Sequence, residues 1–130
     1  MKKHNAFTLI ELMVVILIVA VLAAAAVPLM RGRIDRGKWT EANAAAGAIR
    51  TAMKAYLMET GNTVTGSLTN ASVQQALNIQ AGDFNGSYFV DSDYQIDSVS
   101  VDGVAVITVT GSQTNAPSGS KTLALDGTFE

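Results

Sequence analysis

Residues Phe7–Met30 read FTLIELMVVILIVAVLAAAAVPLM, and of these 24 side chains only Glu11 is charged at neutral pH. The 19 uncharged residues from Leu12 to Met30, wound as a helix rising about 1.5 Å per residue, cover roughly 28 Å, close to the hydrocarbon thickness of a bilayer. A soluble core helix needs neither that length nor that unbroken apolarity. Glu11 is the anomaly. A carboxylate in hydrocarbon is costly and usually faces a partner, which predicts a helix with neighbours and a cation brought to Glu11. Two plainer readings stay open: a first turn at the hydrated headgroup level, or the apolar core of a secretory signal.

Working outward, Lys2, Lys3 and His4 precede the run, and Arg31, Arg33, Arg36 and Lys38 follow it, offset by Asp35 and Glu41. With cations on both flanks, counting Lys and Arg does not orient the segment. Pro28 cannot donate the helical hydrogen bond to the carbonyl of Ala24, so a kink or a loosened turn is expected there. Gly32 and Gly37 add pliancy. From Ile34 to Thr60 the pattern stays helical but becomes amphipathic. Ala42, Ala46, Ile49, Met53, Tyr56 and Leu57 recur at three- and four-residue steps, a stripe that should face a folded head. Gly61 is a suitable stop.

Residues 61–86 form a Gly-, Asn-, Thr- and Ser-rich connector, with a short helix expected over Ser72–Leu77 and capping-box spacing between Ser72 and Gln75. Leu68, Val73, Leu77 and Ile79 should pin this connector to the head. Tyr88-Phe89-Val90 opens the strand region. Tyr94–Val101 and Val104–Thr110 flank Asp102-Gly103, a two-residue type I′ hairpin signal that sets Val101 opposite Val104 and Val99 opposite Val106. The apolar phase flips in both strands near Ser98 and Ile107, which predicts a bulge there. A polar loop around Pro117 leads to a last strand over Lys121–Leu125. The fold class is therefore α+β: a long amino-terminal helix, half membrane-spanning and half amphipathic, packed on a small antiparallel sheet of three or four strands. The expected divisions are a leader at 1–6, an apolar helix at 7–30, its amphipathic continuation at 31–60 and a head at 61–130.

Composition narrows the chemistry. There are no cysteines and a single histidine, His4, so disulfides and thiolate sites are excluded, and no histidine base or ligand exists beyond residue 4. Asp83, Asp91, Asp93 and Asp97 lack the spacing of a calcium loop and read as solvated loop carboxylates, so no metal or other cofactor is expected. An enzyme would need a base, a nucleophile and a pocket, and this inventory points instead to a structural subunit. Residues 1–60 hold eight Lys/Arg against four Asp/Glu, and residues 61–130 hold one against seven, a split of +4 and −6. The basic collar of Arg31, Arg33, Arg36 and Lys38 could bind nucleic-acid phosphates, which leaves nucleic acid an open partner, but pairing with the acidic head of a neighbour or with lipid headgroups is the more economical reading.

The short basic leader, the motif Phe7-Thr8-Leu9-Ile10-Glu11-Leu12 and the long apolar helix with Pro28 near its end together resemble the type IV pilin and pseudopilin family, over about the first 60 residues. The resemblance implies cleavage between Ala6 and Phe7 by a prepilin peptidase and N-methylation of the new Phe7 amine. It also implies pairing of Glu11 with the terminal amine of a neighbouring subunit in a helical filament. Ala6 departs from the family's usual glycine before the cut. The resemblance places the precursor in the inner membrane, with its amino terminus inside, before pilus machinery assembles it into an extracellular fibre for adhesion, motility or DNA uptake. Within such a filament, Arg31, Arg33, Arg36 and Lys38 are expected to meet Asp91, Asp93 and Asp97 of a neighbour. Two alternatives remain: a pseudopilin of a type II secretion or competence system, and a binding domain that is either singly anchored or released with a start near Val27.

Overall fold

The computed structural model describes residues 6–130, so Lys2, Lys3 and His4 of the leader lie outside the described residues. The chain divides into two units, Met1–Ile34 and Asp35–Glu130. One helix, α1, runs over Leu9–Thr60. It remains helical on both sides of Pro28, because a proline inside a helix removes one hydrogen bond without forbidding the turns around it.

In the first unit the large apolar side chains from Phe7 to Met30 are exposed, Leu9 by 77% and Leu22 by 64%. A helix that is apolar all round and covered by none of the other described residues is built for lipid or for other helices. Among the described residues, α1 is the one helix long and apolar enough to cross a membrane.

The second unit is the head together with the helical stretch that follows Ile34. Trp39, Ala42, Ala46, Ile49 and Met53 are buried at three- and four-residue steps along α1. Their stripe meets a four-stranded antiparallel sheet in the order β1 (Gly66–Ser67), β2 (Tyr94–Val99), β3 (Ala105–Thr110), β4 (Ser120–Leu123). Tyr94, Ile96, Ala105, Ile107 and Val109 point inward, and Gln95, Asp97, Thr108 and Thr110 alternate outward. Gly61, at φ +71°, ends α1 by donating its N–H to Leu57 O at 2.8 Å. Leu68, Val73 and Leu77 are buried, and Ile79 packs against the same core, so the connector is pinned as expected.

Four local expectations are corrected. Helix α2 spans Ala71–Leu77, and Asn70 occupies its N-cap with no side-chain cap, so the Ser72–Gln75 box does not form. Tyr88–Val90 is not a strand, since consecutive amides there are drawn away from any ladder, as described below. The last strand is Ser120–Leu123 and stops before Leu125. The hairpin between β2 and β3 has a five-residue connection, with Ser98 opposite Val106 and Val99 opposite Ala105.

The physical reason for that register is at Gly103. A type I′ turn needs left-handed φ at both central residues, and of the pair only Gly103 has it, at +79°. Gly103 is buried against Leu57 and the backbone of Lys54, where a Cβ would lie 2.9 Å from the Leu57 side chain. The loop is instead closed by Ser100 N–H to Val104 O at 3.0 Å and Gly103 N–H to Ser100 O at 3.0 Å. Val101 is consequently 94% exposed. The expected bulge is present and falls at Asp97, where the register shifts between Ile96 and Ser98.

Candidate functional site

The amino-terminal site is built on the first turn of α1. Thr8 precedes the helix, and Glu11 accepts from the Thr8 N–H at 2.9 Å and from the Thr8 hydroxyl at 3.0 Å. In return the Thr8 hydroxyl oxygen accepts from the Glu11 N–H at 3.3 Å. This is a reciprocal capping box, in which two otherwise orphaned helix-start amides are satisfied by side chains. The spacing T-x-x-E was there to be found in the sequence, but the charge of Glu11 drew attention from its geometry. Glu11 lines an apolar groove with Phe7, Ile10, Leu12, Val14 and Val15. Ala6 and Phe7 lie ahead of the helix and are exposed, Phe7 by 87%, so the Ala6–Phe7 bond is accessible in this chain. The structure therefore brings Phe7, Thr8 and Glu11 together in one turn.

The residues expected to make charge contacts separate into two groups. Arg31 and Arg33 are exposed at the end of the first unit, and Arg36 is exposed in the second. Lys38 is engaged within the head: it donates to Asn115 O at 2.7 Å, lies 3.9 Å from Asp35 and sits 5.3 Å above the Tyr88 ring. Asp91 and Asp93 are buried and act as backbone caps. Asp91 accepts from the amides of Gly82 and Phe84, and Asp93 accepts from the Val90 amide at 3.0 Å. Both carboxylates are turned onto backbone amides of their own head. Asp97 is exposed and accepts from the Thr108 hydroxyl at 2.6 Å.

Three residues that hold the head together were not singled out from sequence. Glu41 projects from α1 and accepts from three successive amides, Ser87 at 3.1 Å, Tyr88 at 2.9 Å and Phe89 at 3.2 Å. Three consecutive N–H groups converging on one carboxylate form an anion nest, and this is what takes Tyr88–Val90 out of the sheet. Gly86 leaves room for it, since a Cβ there would collide with the Glu41 carboxylate. Arg50 donates to Ala105 O at 2.9 Å, Leu123 O at 3.0 Å and Ala124 O at 2.6 Å, tying α1 to β3 and the end of β4. Burial pulls the guanidinium below its ordinary pKa, and the charge of Asp126 opposes that. The Trp39 ring lies tilted 5.1 Å from Phe89 and edge-on 5.9 Å from Phe129, centroid to centroid. A lone tryptophan two residues after the pliant Gly37 was a usable signal, because it begins the same three- and four-residue stripe as Ala42 and Ala46.

Tyr94 is expected to make the head sensitive to base. Burial, and then the charges of Glu41, Asp93 and Asp91, raise its phenol above the ordinary value of 10.0. Above about pH 10 the unfolded chain ionises its tyrosine while the folded head resists. Stability from this residue is thus complete below that pH and is lost as pH rises toward the raised value. Melting curves at neutral and strongly alkaline pH should show this loss, and Tyr94→Phe should reduce it. Equal alkaline losses in both proteins would assign the effect to other groups.

Residues 1–27 match the family model described as the prokaryotic N-terminal methylation motif. Two fimbrial proteins of Pseudomonas aeruginosa are each 36% identical over 74 residues, 57% of this chain and 47% of theirs. The match thus spans about half the length of these two relatives. Fimbrial protein EcpC of Eikenella corrodens is 35% identical over 129 residues, 98% of this chain and 76% of its own. No solved structure matches the chain. An exposed apolar helix opening on a Thr8–Glu11 capped turn, a four-stranded antiparallel head and a match to a fimbrial protein over 98% of this chain and 76% of the relative lead to one assignment: the chain belongs to the type IV pilin family.

Proposed function

We propose that the chain is the structural subunit of a type IV pilus, released from its leader between Ala6 and Phe7, methylated at Phe7 and polymerised through residues 7–30. The observation that carries this reading is the apolar surface of the first unit, exposed on every side of the helix. A surface of that extent is stable only in lipid before assembly and among like helices afterwards. The three relatives are all named fimbrial proteins, which supports a pilus over a secretion pseudopilus. In this reading the precursor is held in the inner membrane, a prepilin peptidase and the assembly machinery are its partners, and the fibre is extracellular. Pro28 is the point at which α1 loosens in the polymer, since one backbone hydrogen bond is already missing there. The test is expression in a piliated host, followed by electron microscopy of sheared surface material. Long fibres containing this chain support the reading, and short structures confined to the periplasm would favour a pseudopilus.

With Asp91, Asp93 and Lys38 occupied inside the head, Arg31, Arg33, Arg36 and Asp97 remain the candidates for charge contacts between subunits. Exposed pairs contribute only about 0–1 kcal/mol each, so a single substitution should do little. Reversing Arg31, Arg33 and Arg36 together to Glu should lower fibre yield several-fold, because repeated pairs set register along a polymer. Asp97→Lys should partly restore it. An unchanged yield in the triple reversal would remove these contacts from the polymer.

A further inference from the structure

The two arginines that close the first unit have a geometry that one protein neighbour does not satisfy. Arg31 and Arg33 are exposed, and neither guanidinium group has an ion-pair or hydrogen-bond partner among the described residues. At about 100° per residue, two positions apart on a helix means about 200°, so the two guanidinium groups leave on nearly opposite sides. A single adjacent carboxylate-bearing surface can reach one of them. A medium that surrounds the helix reaches both. Directly before Arg31 lie the 19 uncharged residues Leu12–Met30, and the sole acidic residue of the first unit is Glu11. From Glu11 to Arg31 is 20 residues, a rise of about 30 Å, which equals the hydrocarbon thickness of a bilayer.

We infer that, in the unassembled subunit, Arg31 and Arg33 bind the phosphates of anionic phospholipids on the membrane face where α1 emerges toward residue 35, fixing the depth of the helix. The inference rests on the reading that residues 7–30 span a membrane before assembly. Guanidinium groups suit the role, since their planar forks match phosphate oxygens and their aliphatic stems lie along the apolar boundary. The consequence falls on the far end. With the arginines held at one headgroup plane, Glu11 sits at the opposite headgroup boundary and out of the hydrocarbon. The carboxylate that would be costly at mid-bilayer is then stored hydrated and capped by Thr8, in the layer where the Phe7 amine of another subunit would also lie.

Because the chain has no cysteine, one introduced thiol can carry a single nitroxide label. The full chain labelled at Leu12→Cys, or at Val21→Cys, is reconstituted into phosphatidylcholine vesicles with and without phosphatidylglycerol, and label depth is read from collision with oxygen against a polar nickel chelate. In the wild-type background the Leu12→Cys label should move toward the headgroups by about 5 Å, one helical turn, when phosphatidylglycerol is present. Arg31→Gln with Arg33→Gln should abolish that dependence, whereas Arg31→Lys with Arg33→Lys should keep most of it. High salt should weaken it in the wild type. A depth that ignores phosphatidylglycerol, or a dependence that survives the double glutamine variant, overturns the lipid contact and leaves polymerisation untouched. A Val21→Cys label that is not buried in either vesicle overturns the membrane span itself.

Discussion

Replacing Glu11 by alanine is expected to reduce surface fibre by about two orders of magnitude while the head folds normally. Removing one member of a desolvated ion pair costs about 3–5 kcal/mol, because the remaining charge is left without a partner. In the proposed filament that orphan is the methylated amine of the neighbouring Phe7. The capping box offers a rival explanation, since losing a helix cap costs about 1 kcal/mol. Glutamine separates the two. Glu11→Gln can still close a capping box with Thr8 but carries no charge, and Thr8→Val removes the hydroxyl while leaving the carboxylate. Pairing predicts that Glu11→Gln fails nearly as badly as Glu11→Ala and that Thr8→Val is mild. Quantifying fibre against membrane-bound subunit in the three variants decides it. A Glu11→Gln strain with wild-type fibre would reduce Glu11 to a helix cap.

The second large effect is expected in the head. Glu41→Leu leaves the amides of Ser87, Tyr88 and Phe89 without their acceptor. Ser87 is exposed and recovers water, but Phe89 is fully buried and Tyr88 half-buried. At about 1–3 kcal/mol for each unsatisfied buried group, the loss is about 2–4 kcal/mol, or roughly 10–20 °C in melting temperature for a unit of this size. Glu41→Gln should fall between, because its carbonyl oxygen still accepts. Gly86→Ala should act in the same direction by pushing a methyl group into the carboxylate. Thermal melting of the full chain in detergent, followed by circular dichroism, reads all three. An unchanged midpoint in Glu41→Leu would mean that water replaces the carboxylate at no cost.

The helix was legible because its signals are local. Apolarity from Leu12 to Met30, the stripe through Ala42, Ala46, Ile49 and Met53, and the stop at Gly61 each depend on residues a few positions apart. The sheet was legible in its class and only partly in its register. Asp102-Gly103 has the composition of a two-residue turn, yet the contact between Gly103 and Leu57 joins residues far apart in sequence and sets a longer loop. Tyr88–Val90 has strand composition but joins no ladder: the Tyr88 and Phe89 amides are claimed by Glu41, 47 and 48 residues away, and the Val90 amide by Asp93. Asp91 and Asp93 looked like surface charges because acidic residues in a polar stretch usually are. Only the folded chain shows them turned inward onto backbone amides. In each case the deciding interaction is a long-range or backbone contact that neither composition nor periodicity encodes.

Polymerisation through residues 7–30 is tested most directly by the amino terminus of the chain recovered from sheared surface fibres. Mass spectrometry of that material should find a polypeptide beginning with N-methylated Phe7 and retaining the whole apolar helix. A chain beginning near Val27, or one found only as soluble material outside any fibre, would contradict assembly through this helix.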